Sequence, residues 1–212
     1  MSTDAIRKLI SDAVDQESRS DELLHSLEQR LPSLQERLHL PDSEPLPALV
    51  EFIRRYIQYV PEFIDSLHTQ SRGNGNEALV TPFLHMAEDF FLAPPQELAT
   101  DHGLQALLDE AFLAQRLIEE LNDRHLITQH SHLVPVDMTR ANIIVHHLLG
   151  DALANSLDQL VEQSVSRLLG PERLFSEPGS SGSCESGQQQ RELPCMSREV
   201  AIDLRLNGGG QV

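Results

Sequence analysis

Two helical seams, set one after the other, constrain this chain more than any other feature. Leu107, Ala111, Ala114, Ile118, Leu121 and His125 recur at alternating steps of four and three, and Ile143, His147, Gly150, Ala154, Leu157, Val161, Ser164 and Leu168 do the same. An α-helix makes a turn in about 3.6 residues, so this alternation keeps one stripe of the helix facing one neighbour. The seams predict a helix from about Leu104 to Leu126, with an extension to His132 left open, and another from about Met138 to Leu169. Asp137 is the expected cap of the second, and Gly170-Pro171 its expected stop. A turn around Leu133–Val136 would join them as an antiparallel hairpin in which small seam residues allow close approach.

The preceding residues repeat the pattern in shorter pieces. Thr3 can cap a helix whose stripe is Ile6, Leu9, Ile10, Ala13 and Val14, ended by the polar run Gln16–Ser20. Leu24, Leu27, Leu31, Leu34 and Leu38 form a second stripe, which Pro32 is expected to kink or split, with Ser33 and Glu36 as a capping box for a restart. That stripe could zip to a partner helix, although packing within the chain is the commoner fate. From Pro47 to about Leu67 the stripe Leu49, Ile53, Tyr56, Val60, Phe63 and Leu67 predicts a core helix bent near Ile57–Pro61, followed by a loop over 71–76. Thr81-Pro82 reads as the start of a short helix through Phe91 that Ala93-Pro94-Pro95 stops. The fold class is therefore all-α, a bundle of five or six helices over residues 1–170.

Beyond Phe175 the composition turns to Ser, Gly, Gln and Glu, too polar to offset an ordering entropy of about 1–2 kcal/mol per residue. Residues 171–212 are expected to be a weakly structured tail, with Ser176–Ser197 disordered. Within it, Val200, Ile202, Leu204 and Leu206 alternate with Ala201, Asp203 and Arg205, the period of a half-buried strand. With no second strand evident, residues 199–206 read as a lone strand, as a disordered tail, or, less commonly, as a segment that adds to a partner's sheet edge.

The net charge of −17 opposes nucleic-acid binding, which draws its affinity from Lys and Arg neutralising phosphates. Acidic residues interrupt Met1–Ser20, so a secretory leader is not expected, and no apolar run approaches a membrane span of about 18 residues. Cys184 and Cys195 stand in the polar tail without the spacing of a zinc site. Together these features point to a cytoplasmic protein. The near absence of lysine beside arginine points to GC-rich codons and a bacterial source.

Catalytic patterns are missing from the sequence. Gly73-Asn-Gly75 is not followed by Lys-Ser/Thr, there is no dinucleotide fingerprint, no His-Glu-x-x-His and no nucleophile elbow. Histidine is the unusual enrichment, with His125, His130, His132, His146 and His147 clustered around the expected hairpin. His147 and Asp151 are i, i+4 neighbours, and Glu119 could reach them from the preceding helix, giving a candidate iron, manganese or zinc site of His147, Asp151 and Glu119. The diiron pattern itself is absent, because Glu119 and Glu120 are followed three residues on by Asn122 and Asp123. His125 would lie about 13 Å along the axis from His147 if both helices end at the turn. Against the metal stands a reading in which His125 and His147 are seam residues hydrogen-bonded to neighbours, and His130, His132 and His146 face water. The acidic run Asp109, Glu110, Glu119, Glu120 and Asp123 reads as a solvated face, with Glu120 and Arg124 as an i, i+4 pair.

No motif here carries a family resemblance. The function expected is that of a non-enzymatic regulatory, adaptor or assembly protein that binds another protein, with a homodimer left open. The alternative is a helical bundle with a His/carboxylate metal centre, oxidoreductase-like in character.

Overall fold

The computed structural model describes residues 3–95, 103–130, 132–133, 136–173, 191–196 and 202–205. Among these the protein is all-α: α1 (Asp4–Ser20), α2 (Glu22–Arg37), α3 (Pro45–Asn74), α4 (Glu77–Leu92), α5 (Gly103–Gln129), α6 (Thr139–Leu149) and α7 (Asp151–Arg173). No described helix is long and apolar enough to cross a membrane.

α5 is the central helix because its sequence is apolar on nearly every side. Leu104, Leu108, Phe112, Leu113 and Leu117 are buried together with the seam residues Leu107, Ala111, Ala114, Ile118 and Leu121, and α1, α3, α4, α6 and α7 all pack on it. This corrects the expected solvated acidic face: Asp109, Glu110 and Glu119 are buried, and Asp123 alone of the run is fully exposed. The Glu120–Arg124 pair forms as expected, with Arg124 Nε donating to Glu120 Oε1 over 2.7 Å.

Neither interior proline splits the helix that carries it. Pro32 lies inside α2 and Pro61 inside α3, and neither ends its helix, so the restart at Ser33 does not occur. An interior proline costs about 3 kcal/mol, but Ile57, Val60, Phe63 and Ile64 around Pro61 are all buried, and each such side chain contributes about 1.5–3 kcal/mol. Burial of the continuous stripe outweighs the missing hydrogen bond. Most of the leucine stripe of α2 is taken up within the chain: Leu27, Leu34 and Leu38 are buried and Leu31 packs beside them, while Leu24 is half-buried and the core position next to it is Leu23. α3 runs through the expected loop to Asn74, where Gly75 at φ 74° provides a left-handed cap whose N–H returns to the Ser71 carbonyl. α4 accordingly begins at Glu77 rather than at Thr81, with Pro82 inside it. Thr3 does not cap α1 with its side chain; its hydroxyl donates to Asp65 Oδ2 of α3 over 2.8 Å.

The second seam is two helices rather than one, which brings the number among the described residues to seven against the expected five or six. Gly150 stands between α6 and α7 at φ 91°, ψ 149°, a backbone region that essentially only glycine enters. The break shifts the helical phase. α7 keeps the expected stripe, burying Ala154, Leu157, Val161 and Ser164, but α6 buries Ala141, Asn142, Ile144, Val145, Leu148 and Leu149 and leaves Ile143 41% exposed. Asp137 does act at the start of α6, its Oδ1 accepting the Thr139 N–H over 3.0 Å. At the far end α7 continues through Gly170-Pro171 to Arg173 instead of stopping there. Gly150→Ala should destabilise the protein by about 1–3 kcal/mol through strain at this angle. Urea unfolding measures it, and a loss below about 0.5 kcal/mol would mean that the break does not depend on glycine.

The tail is partly folded back onto the helices. Leu193 and Cys195, in and beside the 3-10 turn Pro194–Met196, are buried against the core, with the turn packed on α3. The expected disorder of Ser176–Ser197 is thus corrected at 191–196; residues 176–190 and 197 lie outside the described residues. Nor is the tail strand alone. β4 (Asp203–Leu204) pairs antiparallel with β1 (Leu38–His39), matching Leu38 to Leu204, and β3 (Arg191–Glu192) pairs in parallel with β2 (Val136–Asp137). Residues 199–201 and 206 of the expected strand lie outside the described residues. The apolar residues Leu193, Cys195 and Ile202 supply what the polar composition hid, because three buried side chains can fix a short segment that its average composition would leave free.

Candidate functional site

A cleft of about 360 Å³ opens between α5, α6 and α7. Phe112, Arg116 and Glu119 of α5, Thr139, Asn142, Ile143 and His146 of α6 and Asp158 of α7 line it. These residues meet because α6 is re-phased at Gly150, which turns Asn142 inward and brings Ile143 to the rim.

A chain of polar contacts runs through the floor. The Tyr56 hydroxyl of α3 donates to Asn142 Oδ1 over 2.7 Å, and Asn142 Nδ2 donates to Glu119 Oε2 over 2.6 Å. Glu119 forms an ion pair with Arg116, whose Nε donates to Asp158 Oδ1 over 2.8 Å. Burial pushes the Tyr56 phenol well above its ordinary pKa. For Arg116, burial opposes the charge, and the Asp158 and Glu119 carboxylates outweigh it, raising the guanidinium above its usual range. Gln115 closes the network from α5, its Nε2 donating to the Tyr56 carbonyl over 2.9 Å.

Beside the cleft, at the α6–α7 break, His146, His147 and Asp151 converge, each offering a ligand atom within 4.8 Å of the others. The structure therefore brings His147 and Asp151 together, with His146, expected to face water, beside them. Glu119 is not among them. Its carboxylate is engaged by Asn142 and Arg116, and it shares only the cleft lining with His146. Arg37, at the end of α2, reaches into the cluster. Its Nη1 lies 3.1 Å from Asp151 Oδ1 and 3.4 Å from His147 Nδ1. Burial, then Arg37 and His146, lower the His147 pKa, and the hydrogen bond from Arg37 lowers that of Asp151. Of the other histidines, His132 lies near Asn122, with Nδ1 3.3 Å from Asn122 Nδ2, and His125 and His130 are not in the cluster.

Asn142, Tyr56, Arg116 and Asp158 were not singled out as site residues in the sequence. The available signal was Asn142, a polar residue on what becomes the buried side of α6, but that side is recognisable only once the break at Gly150 is known. No protein-family model, no curated protein and no solved structure matches this chain.

Proposed function

We propose that the chain is a non-enzymatic regulatory, adaptor or assembly protein, and that a side chain of its protein partner enters the α5/α6/α7 cleft. The observation that carries this reading is the cleft itself, with an apolar wall of Phe112 and the exposed Ile143 above a fixed set of charges. Interface hot spots have this form, an anchor side chain filling a pocket whose polar groups are already held in place. Glu119 and Asp158 set two carboxylates against the one guanidinium of Arg116, so the cleft favours a basic anchor, and the net charge of −17 would steer a basic partner toward it. The leucine stripe of α2 is not needed for this reading, since Leu27, Leu34 and Leu38 are buried within the chain.

The proposed scaffold of the cleft is an antiparallel hairpin of α5 against α6–α7. It is supported by the Arg116–Asp158 and Asn142–Glu119 contacts, in which the later residue of α5 meets the earlier partner. A cytoplasmic, bacterial setting belongs to the same proposal, resting on the sequence features above.

Ile143→Glu tests the reading, because it places a charge on the rim without touching the network. As bait in a lysate of the native cells it should lose at least about tenfold of a partner that the unmodified chain retains, equivalent to about 1.4 kcal/mol. Leu92→Glu, at another exposed apolar residue, should retain that partner. Equal capture by both variants would remove the cleft from the interaction, and no specific capture by the unmodified chain would remove the function.

A further inference from the structure

We propose that His146, His147 and Asp151 form a binding site for a divalent transition-metal ion of the zinc class, and that the Arg37 guanidinium holds the ion's place in the metal-free chain. This goes beyond the partner-binding reading and does not depend on it.

The hydrogen bonds fix which ring nitrogens carry lone pairs. Arginine has no acceptor, so the 3.4 Å contact from Arg37 Nη1 requires His147 Nδ1 to be unprotonated. His146 Nε2 faces Asn155 Oδ1 at 3.3 Å, and since that oxygen can only accept, the neutral ring carries its proton on Nε2 and its lone pair on Nδ1. His146 Nδ1 in turn lies 3.8 Å from Asp151 Oδ1. His146 Nδ1 thus lies beside the Asp151 carboxylate, His147 Nδ1 shares the Arg37 guanidinium with it, and each of the three residues offers a ligand atom within 4.8 Å of the others. Asn155 acts as the outer partner that metal-ligating histidines ordinarily have, fixing the tautomer by its hydrogen bond.

Arg37 occupies that region as a stand-in cation. A tetrahedral ion with bonds of about 2.0–2.2 Å needs its ligand atoms about 3.3–3.6 Å apart, so the three groups, within 4.8 Å of one another, must draw together by up to about 1.5 Å. Side-chain rotation suffices for this, because Asp151 is 56% exposed and both histidines, near the C-terminal end of α6, are only partly buried. The Arg37 side chain is itself half exposed and can swing into water. Two nitrogens and one oxygen suit zinc, cobalt or nickel better than magnesium or calcium, which prefer all-oxygen sets. Water completes the coordination.

The competition with Arg37 gives the proposal a signature that scattered surface histidines would not produce. Calorimetric titration of the full, untagged chain with zinc chloride at pH 7.5 should show one saturable equivalent. His146→Ala and His147→Ala should each weaken it by about thirtyfold, and Asp151→Asn, at an exposed position where folding is not at stake, by about tenfold. Arg37→Ala should act in the opposite direction, tightening binding by about fivefold because a surface ion pair no longer opposes the ion. His132→Ala should change nothing. Absence of saturable binding, binding indifferent to the two histidines and Asp151, or an Arg37→Ala variant that binds no more tightly would each overturn the proposal.

Discussion

Replacing Glu119 by Ala should lower the unfolding free energy by about 3 kcal/mol, the lower end of what breaking a buried charge pair costs. Glu119 is 6% exposed, and its carboxylate both pairs with Arg116 and accepts from Asn142 Nδ2. Its removal leaves Asn142 with an unsatisfied donor while Asn142 Oδ1 still holds the Tyr56 hydroxyl, so the fault spreads from α5 through α6 to α3. Arg116 keeps Asp158, and the open cleft lets water reach Asn142, which is why the lower end applies. Glu119→Gln keeps an acceptor for Asn142 and should lose about half as much. Tyr56→Phe should lose about 1–2 kcal/mol, and the double variant should lose less than the sum, because both act through Asn142. Urea unfolding of the four variants beside the unmodified protein measures all of this. A loss below about 1 kcal/mol for Glu119→Ala would show that the network is not a determinant of the bundle.

The difference between the seams and these polar contacts explains how much was legible in the sequence. Burial of Leu107, Ala111, Ala114, Ile118 and Leu121 follows from periodicity alone, because the hydrophobic effect acts on each residue through its place on the helix face. The all-α class was legible for the same reason. Helix ends were not, since they depend on a few backbone angles: Gly75 and Gly150 both end helices in left-handed or glycine-only conformations, while the split and restart after Pro32 were overridden by packing. The site was legible in part, and for a reason that fails. His147 and Asp151 do meet, but not as neighbours on one helix face, because Gly150 breaks the helix between them. That same break turns His146 toward Asp151 and gives the cluster the third residue that the unbroken seam assigned to water. Arg37 and the pairing of the tail with β1 lie beyond local pattern altogether, since each joins segments more than a hundred residues apart.

Glu110 supplies the second large effect, and its sign is opposite to that of Glu119. Glu110 is 6% exposed on α5, and its Oε2 has no hydrogen-bond partner among the described residues. Burial, reinforced by the neighbouring Asp109, raises its pKa from 4.5 to about 8. The folded state therefore holds this proton more tightly than the unfolded state. Below about pH 4.5 both states are protonated and the stabilisation is complete; between about 4.5 and 8 the unfolded chain ionises while the folded one stays protonated, so stability falls across that window and levels off once the folded group ionises above 8. The full shift would correspond to nearly 5 kcal/mol at about 1.4 kcal/mol per pH unit, and relaxation with water penetration reduces this to about 2 kcal/mol. Glu110→Gln removes the titration while keeping the shape, so it should be more stable than the unmodified protein by about 2 kcal/mol at pH 9 and equal to it within about 1 kcal/mol at pH 4. Thermal and urea unfolding across that range read the difference directly. A difference that stays constant from pH 4 to pH 9 would show that Glu110 does not titrate between the two states, and that the buried carboxyl has found a partner that keeps it ionised.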